Sequence, residues 1–233
     1  MELIMMLDFD GVLFNSAYEA YQVCELVSQN DSSLRRGIHF EEFMEFRAQL
    51  TDAWQFNRLY DKQLGLKDFE LLGTIEPTPE DWAFSEKFFA ARAELMNDSE
   101  WAKLMSPYPF FYQMKPLINE QPDLFGILST RNESSIKRTL DFYGVHDIEI
   151  FGQQAIRDKG SKLEVALSRS WLKPDVYSIY IDDMNAHLEP FEDQVDLCLH
   201  AGWGYDASGL ESYTGTQAFS LLKGLIAVHK GKK

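Results

Sequence analysis

The chain has 233 residues, with 22 Lys+Arg against 37 Asp+Glu, a formal net charge of −15, 45% hydrophobic residues and 14% aromatic ones. That apolar share excludes a disordered chain, and the length accommodates one large domain or a core with one insertion. The acidic balance argues against nucleic acid and anionic membrane surfaces as partners, because both are held by Lys and Arg.

Residues 2–7 form a continuous apolar run, the mark of a strand buried on both faces. The run lacks a basic leader and meets Asp8 at once, so no secretory signal is expected. No apolar stretch approaches the ~20 residues that cross a bilayer, and a cytoplasmic location is expected. Cys24 and Cys198 stand far apart and are read as buried thiols rather than a disulfide scaffold or zinc site. From Ala17 to Ser106 the apolar residues recur at helical spacing, which predicts a block of helices without strands. Within it, Thr78-Pro79-Glu80-Asp81 reads as a helix start with proline in the first turn. The aromatic residues of this block (Trp54, Phe56, Tyr60, Trp82, Phe84, Phe88, Phe89) read as core. Its arginines (Arg35, Arg36, Arg47, Arg58, Arg92) offer cations for a second anionic group on a ligand, with a solvated face the simpler reading of each.

After Pro109 strand and helix alternate. Strands are predicted over 124–128, 148–151, 176–181 and 195–200, and helices over 133–143, 161–171 and 217–229. Strands separated by helices of about ten residues predict an α/β fold, a doubly wound parallel sheet. The predicted domains are an α/β core made of 1–16 and 107–233, and a helical domain over 17–106.

In open parallel sheets ligands bind at the carboxyl ends of the strands. Asp8 and Asp10 follow the first run, and Ser129, Thr130 and Arg131 the second. Lys159 and Lys162 flank a helix start, and Asp182 and Asp183 follow the strand at 176–181. Carboxylates, hydroxyls and an ammonium at one sheet edge suit magnesium-assisted phosphoryl transfer. Mg²⁺ takes carboxylate oxygens and waters. A carboxylate can attack phosphorus while a second one handles protons. Hydroxyl and ammonium groups bind the phosphoryl oxygens. Gly11 allows the loop to turn sharply.

Asp8-Phe9-Asp10-Gly11-Val12-Leu13-Phe14-Asn15-Ser16 resembles the first motif of the haloacid dehalogenase-like (HAD) hydrolases. Ile127–Arg131 resembles the second, Lys159 or Lys162 the third, and Ile179–Asp183 the fourth, in the family's order. The resemblance covers 2–16 and about 108–205, and is to the phosphoglycolate phosphatase-like and beta-phosphoglucomutase-like branch. It implies a Rossmann-like core and, in the helical block, a C1 cap that closes over the active site. It also implies Mg²⁺ as cofactor and a small phosphorylated metabolite as substrate. Asp8 would be nucleophile and metal ligand, and Asp10 the acid–base residue with its carbonyl also on the metal. Ser129, with Thr130 as the rival, and Lys159, with Lys162 as the alternative, would bind phosphate. Asp183 and Asp182 would complete the metal site. Asn15 and Val12 depart from the commonest first motif. Asp10 argues against dehalogenation, which needs no acid for its leaving group. His187 could support the fourth motif, though surface or core is the simpler reading, and Trp203-Gly204-Tyr205 resembles a structural loop of the phosphoglycolate phosphatase-like members. A phosphatase is expected; a phosphomutase and a silent binding protein on the same core remain the alternatives. The oligomeric state stays open.

Overall fold

A computed structural model of the protein describes residues 2–62, 76–206 and 212–231. The elements begin with β1 (Glu2–Leu7), β2 (Phe14–Asn15), α1 (Ala17–Asn30), α2 (Phe40–Arg47), α3 (Phe56–Tyr60) and α4 (Pro79–Leu95). They continue with β3 (Ser106–Pro107), α5 (Pro109–Glu120), β4 (Phe125–Leu128), α6 (Glu133–Phe142), β5 (Glu149–Phe151) and α7 (Gln153–Lys159). Last come α8 (Lys162–Ser168), β6 (Val176–Asp182), α9 (Asn185–Leu188), β7 (Leu197–Ala201), β8 (Ser212–Tyr213) and α10 (Gly215–Lys230). They fall into two compact units, residues 1–15 with 106–233, and residues 16–105.

The first unit is a six-stranded parallel sheet in the order β5-β4-β1-β6-β7-β8 with helices between the strands. β1 is apolar throughout after Glu2 because it is paired on both edges, to β4 (Leu7↔Ile127) and to β6 (Leu7↔Ile181). The chain leaves β1 toward β4 on one side and β6 on the other. The carboxyl end of β1 is therefore a switch point, where a crevice opens in such sheets. Beneath β6, a core of Ile4, Met6, Leu128, Val165, Trp171 and Tyr180 packs one face of the sheet.

The fold class is the expected one, with differences in detail. The strand read over 195–200 runs over Leu197–Ala201. The helix read over 161–171 stops at Ser168, and Ser170 has φ 64°, a left-handed position that no helix continues through. Helices α5 and α7 carried no clear signal. Pro116 lies inside α5 and reads as a breaker, and α7 is short with no buried residue. The two-residue strands β2 and β3 pair antiparallel (Phe14↔Pro107) and are too short for periodicity to reveal.

The second unit is helical. The inner face of α1 (Ala20, Val23, Cys24, Val27) packs with Phe43, Phe56, Tyr60, Phe84 and Phe88 in one apolar cluster. Phe56 stacks on Phe43 and Phe88 with ring centroids 5.4 and 5.3 Å apart. Trp82, read as core, is instead exposed. α4 starts as predicted: the Asp81 N–H donates to Thr78 Oγ1, Asp81 Oδ2 accepts the Thr78 N–H, and Pro79 opens the helix. No helix among the described residues is long and apolar enough to cross a membrane.

Candidate active site

The end of β1 is held by the strand beside it. The Asp8 N–H donates to the Ile181 carbonyl at 2.9 Å, so the Asp8 side chain leaves the sheet at its carboxyl edge. The loop then doubles back, with the Gly11 N–H donating to the Phe14 carbonyl. Gly11 has φ 86°, and a Cβ there would lie 2.1 Å from Asp183 Oδ2. Only glycine lets this turn lie against the Asp183 carboxylate.

Asp8, Asp182 and Asp183 are all buried, and each offers a carboxylate oxygen within 4.8 Å of the others. Asp183 Oδ2 accepts the Tyr205 N–H at 2.6 Å, and its carbonyl lies 3.0 Å from His200 Nε2. Asp182 Oδ1 accepts the Met184 N–H at 2.9 Å. Both carboxylates are thus oriented by backbone at the end of β6.

Lys162 is the cation of this cluster. Its Nζ lies 2.9 Å from Asp8 Oδ1, 2.7 Å from Asp182 Oδ2, 3.1 Å from the Tyr180 hydroxyl and 3.2 Å from His187 Nδ1. Its side chain is 6% exposed. Lys159, preferred on sequence, lies exposed in the last turn of α7. The structure brings Lys162 to Asp8 and leaves Lys159 away from it. The cause is local: Gly160 ends α7 at φ 100°, and Ser161 caps α8 by accepting the Glu164 N–H. The first residue of α8 is thereby turned inward.

Burial dominates the electrostatics. It pushes the Asp8 carboxyl up to about 7; the Lys162 charge opposes the rise and the Asp182 charge adds to it. Burial acts on Asp182 too, but Lys162 and His187 outweigh it and hold that carboxyl well below the usual range. For Lys162 burial favours the neutral amine, yet Asp182 and Asp8 keep its pKa above the ordinary lysine value. Burial and the Asp182 charge raise the Tyr180 phenol well above its normal value, so it stays a donor, and its hydroxyl donates to Asp182 Oδ2.

The remaining candidates surround this cluster. Ser129 is buried just beyond β4, its N–H donating to the Phe151 carbonyl at 3.0 Å, and Thr130 beside it is half-buried. The Asp10 carboxylate is not among the three clustered carboxylates. Its Oδ1 accepts from Arg131 Nη1 at 3.0 Å. Trp203 donates its indole N–H to the Val12 carbonyl at 2.9 Å, and Tyr205 reaches Asn15 Oδ1 at 3.3 Å. Sequence reasoning placed Arg131 at a strand end without giving it a role, and passed over Tyr180 and His200 as site residues. For Tyr180 a signal existed, since residues two apart on a strand face the same side and Asp182 is two residues on. His187, given the simpler reading of surface or core, is half-buried beside Lys162 and Asp182.

No family model matches the chain, and no curated protein matches it. Solved structures do. A protein described as a haloacid dehalogenase-like hydrolase, from Bacteroides fragilis, is 18% identical with a TM-score of 0.57, over 88% of this chain and 89% of that one. One described as a phosphoglycolate phosphatase, from Lactobacillus plantarum, is 16% identical with a TM-score of 0.60, over 96% and 99%. The beta-phosphoglucomutase of Clostridium difficile is 13% identical with a TM-score of 0.56, over 96% of both chains. The chain therefore shares the fold of the HAD-like hydrolases.

Proposed function

We propose that the protein is a magnesium-dependent phosphatase that hydrolyses a small phosphorylated metabolite through an aspartyl-phosphate on Asp8. The observation that carries this reading is the convergence of Asp8, Asp182 and Asp183 within 4.8 Å at one strand edge, with Lys162 Nζ 2.9 Å from Asp8. Three buried carboxylates drawn together oppose one another unless a cation joins them. The donors are all oxygen, with no thiolate or imidazole among the three, which fits Mg²⁺ rather than Zn²⁺. Asp8, Asp182 and Asp183 would hold the ion. When bound, it neutralises the phosphoryl oxygens and lowers the Asp8 pKa, so that the nucleophile is ionised.

The chain's own groups then divide the work. An Asp8 carboxylate oxygen attacks phosphorus as the ester oxygen departs, and Asp10 gives that oxygen its proton. Asp10 then takes a proton from water as the water oxygen attacks phosphorus and the acyl-phosphate bond breaks, releasing inorganic phosphate and restoring both residues. Lys162 holds Asp8 and stands beside the equatorial oxygens, and Ser129 and Thr130 supply hydroxyl donors at the neighbouring strand end.

The test has two arms. A panel of sugar phosphates, nucleotides and phospho-acids is incubated with Mg²⁺, and phosphate release is compared with dephosphorylated product. One-for-one release supports hydrolysis, whereas isomerised substrate without phosphate replaces it with a phosphomutase on the same site. Acid-quenched protein should also carry a hydroxylamine-labile phosphoryl label that Asp8→Asn lacks. Turnover without that label, or a label surviving the substitution, removes Asp8 as nucleophile.

A further inference from the structure

Arg131 is 2% exposed and held from several directions. Its carbonyl accepts the Gln153 N–H at 2.8 Å, which ties the loop after β4 to the start of α7. Its Nε donates to Ser135 Oγ at 2.7 Å, and Ser135 Oγ in turn donates to the Asn132 carbonyl at 3.0 Å. Its guanidinium carbon lies 5.6 Å from the centre of the Phe9 ring. So fixed, it presents Nη1 to Asp10 Oδ1 at 3.0 Å. Asp10 sits on the tight loop after β1, and 121 residues separate the two partners.

A planar guanidinium locked by a second hydrogen bond sets the direction of the carboxylate it grips. We propose that Arg131 is the positioning residue for Asp10. Its grip on Oδ1 fixes the carboxylate for proton transfer, to the ester oxygen as the P–O bond breaks and from water in the second step. Ser135 acts one layer further out, by fixing the guanidinium plane. This assignment rests on the phosphatase reading above.

The test uses leaving groups. The full-length protein is assayed with Mg²⁺ on p-nitrophenyl phosphate, whose phenolate leaves without a proton, and on an alkyl phosphate, whose alkoxide needs one. kcat/KM reports the steps up to phosphoryl transfer to Asp8. Arg131→Met should lower kcat/KM about 10²-fold on the alkyl ester, the lower range for a displaced general acid, and no more than about threefold on the aryl ester. Arg131→Lys should recover about tenfold of the alkyl loss, and Ser135→Ala should show the same selective pattern at roughly three- to tenfold. Adding Arg131→Met to Asp10→Asn should cost nothing further, because the group being positioned is already gone. Equal losses on both esters, or a further loss in the double variant, would mean that Arg131 holds the phosphoryl group or the loop, and the proposal falls. If Arg131→Met does not fold, the lysine and Ser135 variants decide by the same selectivity. A wild-type protein inert on both esters sinks the phosphatase reading itself, which separates that failure from this one.

Discussion

The two units bury carboxylates in opposite ways. In the helical unit Glu19 is fully buried, and Arg92 grips it at both oxygens, Nε at 2.9 Å and Nη2 at 3.1 Å. The same guanidinium lies 4.5 Å from the Phe88 ring centre. Asp81, also buried, accepts from Asn57, from Arg58 and from the Thr78 N–H. Each acid there has its own cation and serves packing. In the α/β unit three buried carboxylates lie within 4.8 Å of one another, and Lys162 pairs with two of them, Asp8 and Asp182. The contrast is what the proposed function rests on. A buried acid with a dedicated arginine needs nothing more, whereas buried carboxylates that outnumber their cations are the feature from which a further charge is proposed.

The sharpest way to break that comparison is Asp8→Asn. The change is nearly isosteric, so circular dichroism should be unaltered while kcat falls at least about 10³-fold. Residual activity within tenfold of wild type would end the covalent scheme. Next, Lys162→Met should lower kcat/KM by about 10²–10³-fold, whereas Lys159→Met should change it less than twofold. The reverse order would return the phosphate-binding role to the lysine that the sequence favoured.

In the helical unit the expected loss is of stability. Arg92→Met leaves Glu19 buried without its guanidinium and should cost about 3–5 kcal/mol in urea unfolding. Replacing both partners with apolar residues should cost less than the single change. If the single and double variants unfolded alike, the pair would not be the organising contact.

The smallest effect is a difference in pH response. Burial raises the Asp8 pKa to about 7, above its unfolded value, so the metal-free fold favours the protonated form. Its contribution is fully present at low pH and is lost as pH rises toward 7. Asp81 goes the other way. Burial alone would raise its pKa, but hydrogen bonds from Asn57, Thr78 and Arg58 hold it below the ordinary value. Its contribution is present near neutrality and is lost as pH falls below about 4. Thermal unfolding with chelator should therefore show Tm falling between pH 5.5 and 8, and Mg²⁺ should raise Tm by a few degrees more at pH 8 than at pH 5.5. An equal Mg²⁺ shift at both values would detach the ion from Asp8.

Much of this could be read from the chain. The run at 2–7, apolar after Glu2, reads as a strand buried on both faces, because none of those apolar side chains favours water. The changes from apolar run to Asp8, Ser129 and Asp182 mark strand ends, because polar side chains in a parallel sheet gather at the carboxyl ends of its strands. The start of α4 was legible because its cap is local, closed within four residues. The helical content of 17–106 followed from spacing, but Trp82 shows its limit: periodicity names a face and does not say what covers it.

Sequence by itself therefore determined the α/β sheet, the order of its strand-end residues and the oxygen-rich character of the candidate site, since these depend on local pattern and chemical type. Tertiary structure alone decided which lysine reaches Asp8, and that Arg131 grips Asp10 across 121 residues. Lys159 and Lys162 are three residues apart and chemically identical. What separates them is a left-handed glycine and a serine cap that turn one ammonium into the carboxylates and leave the other in water. The glycine and the cap set the direction locally, and only the folded sheet brings the carboxylates of Asp8 and Asp182 to the ammonium that points inward.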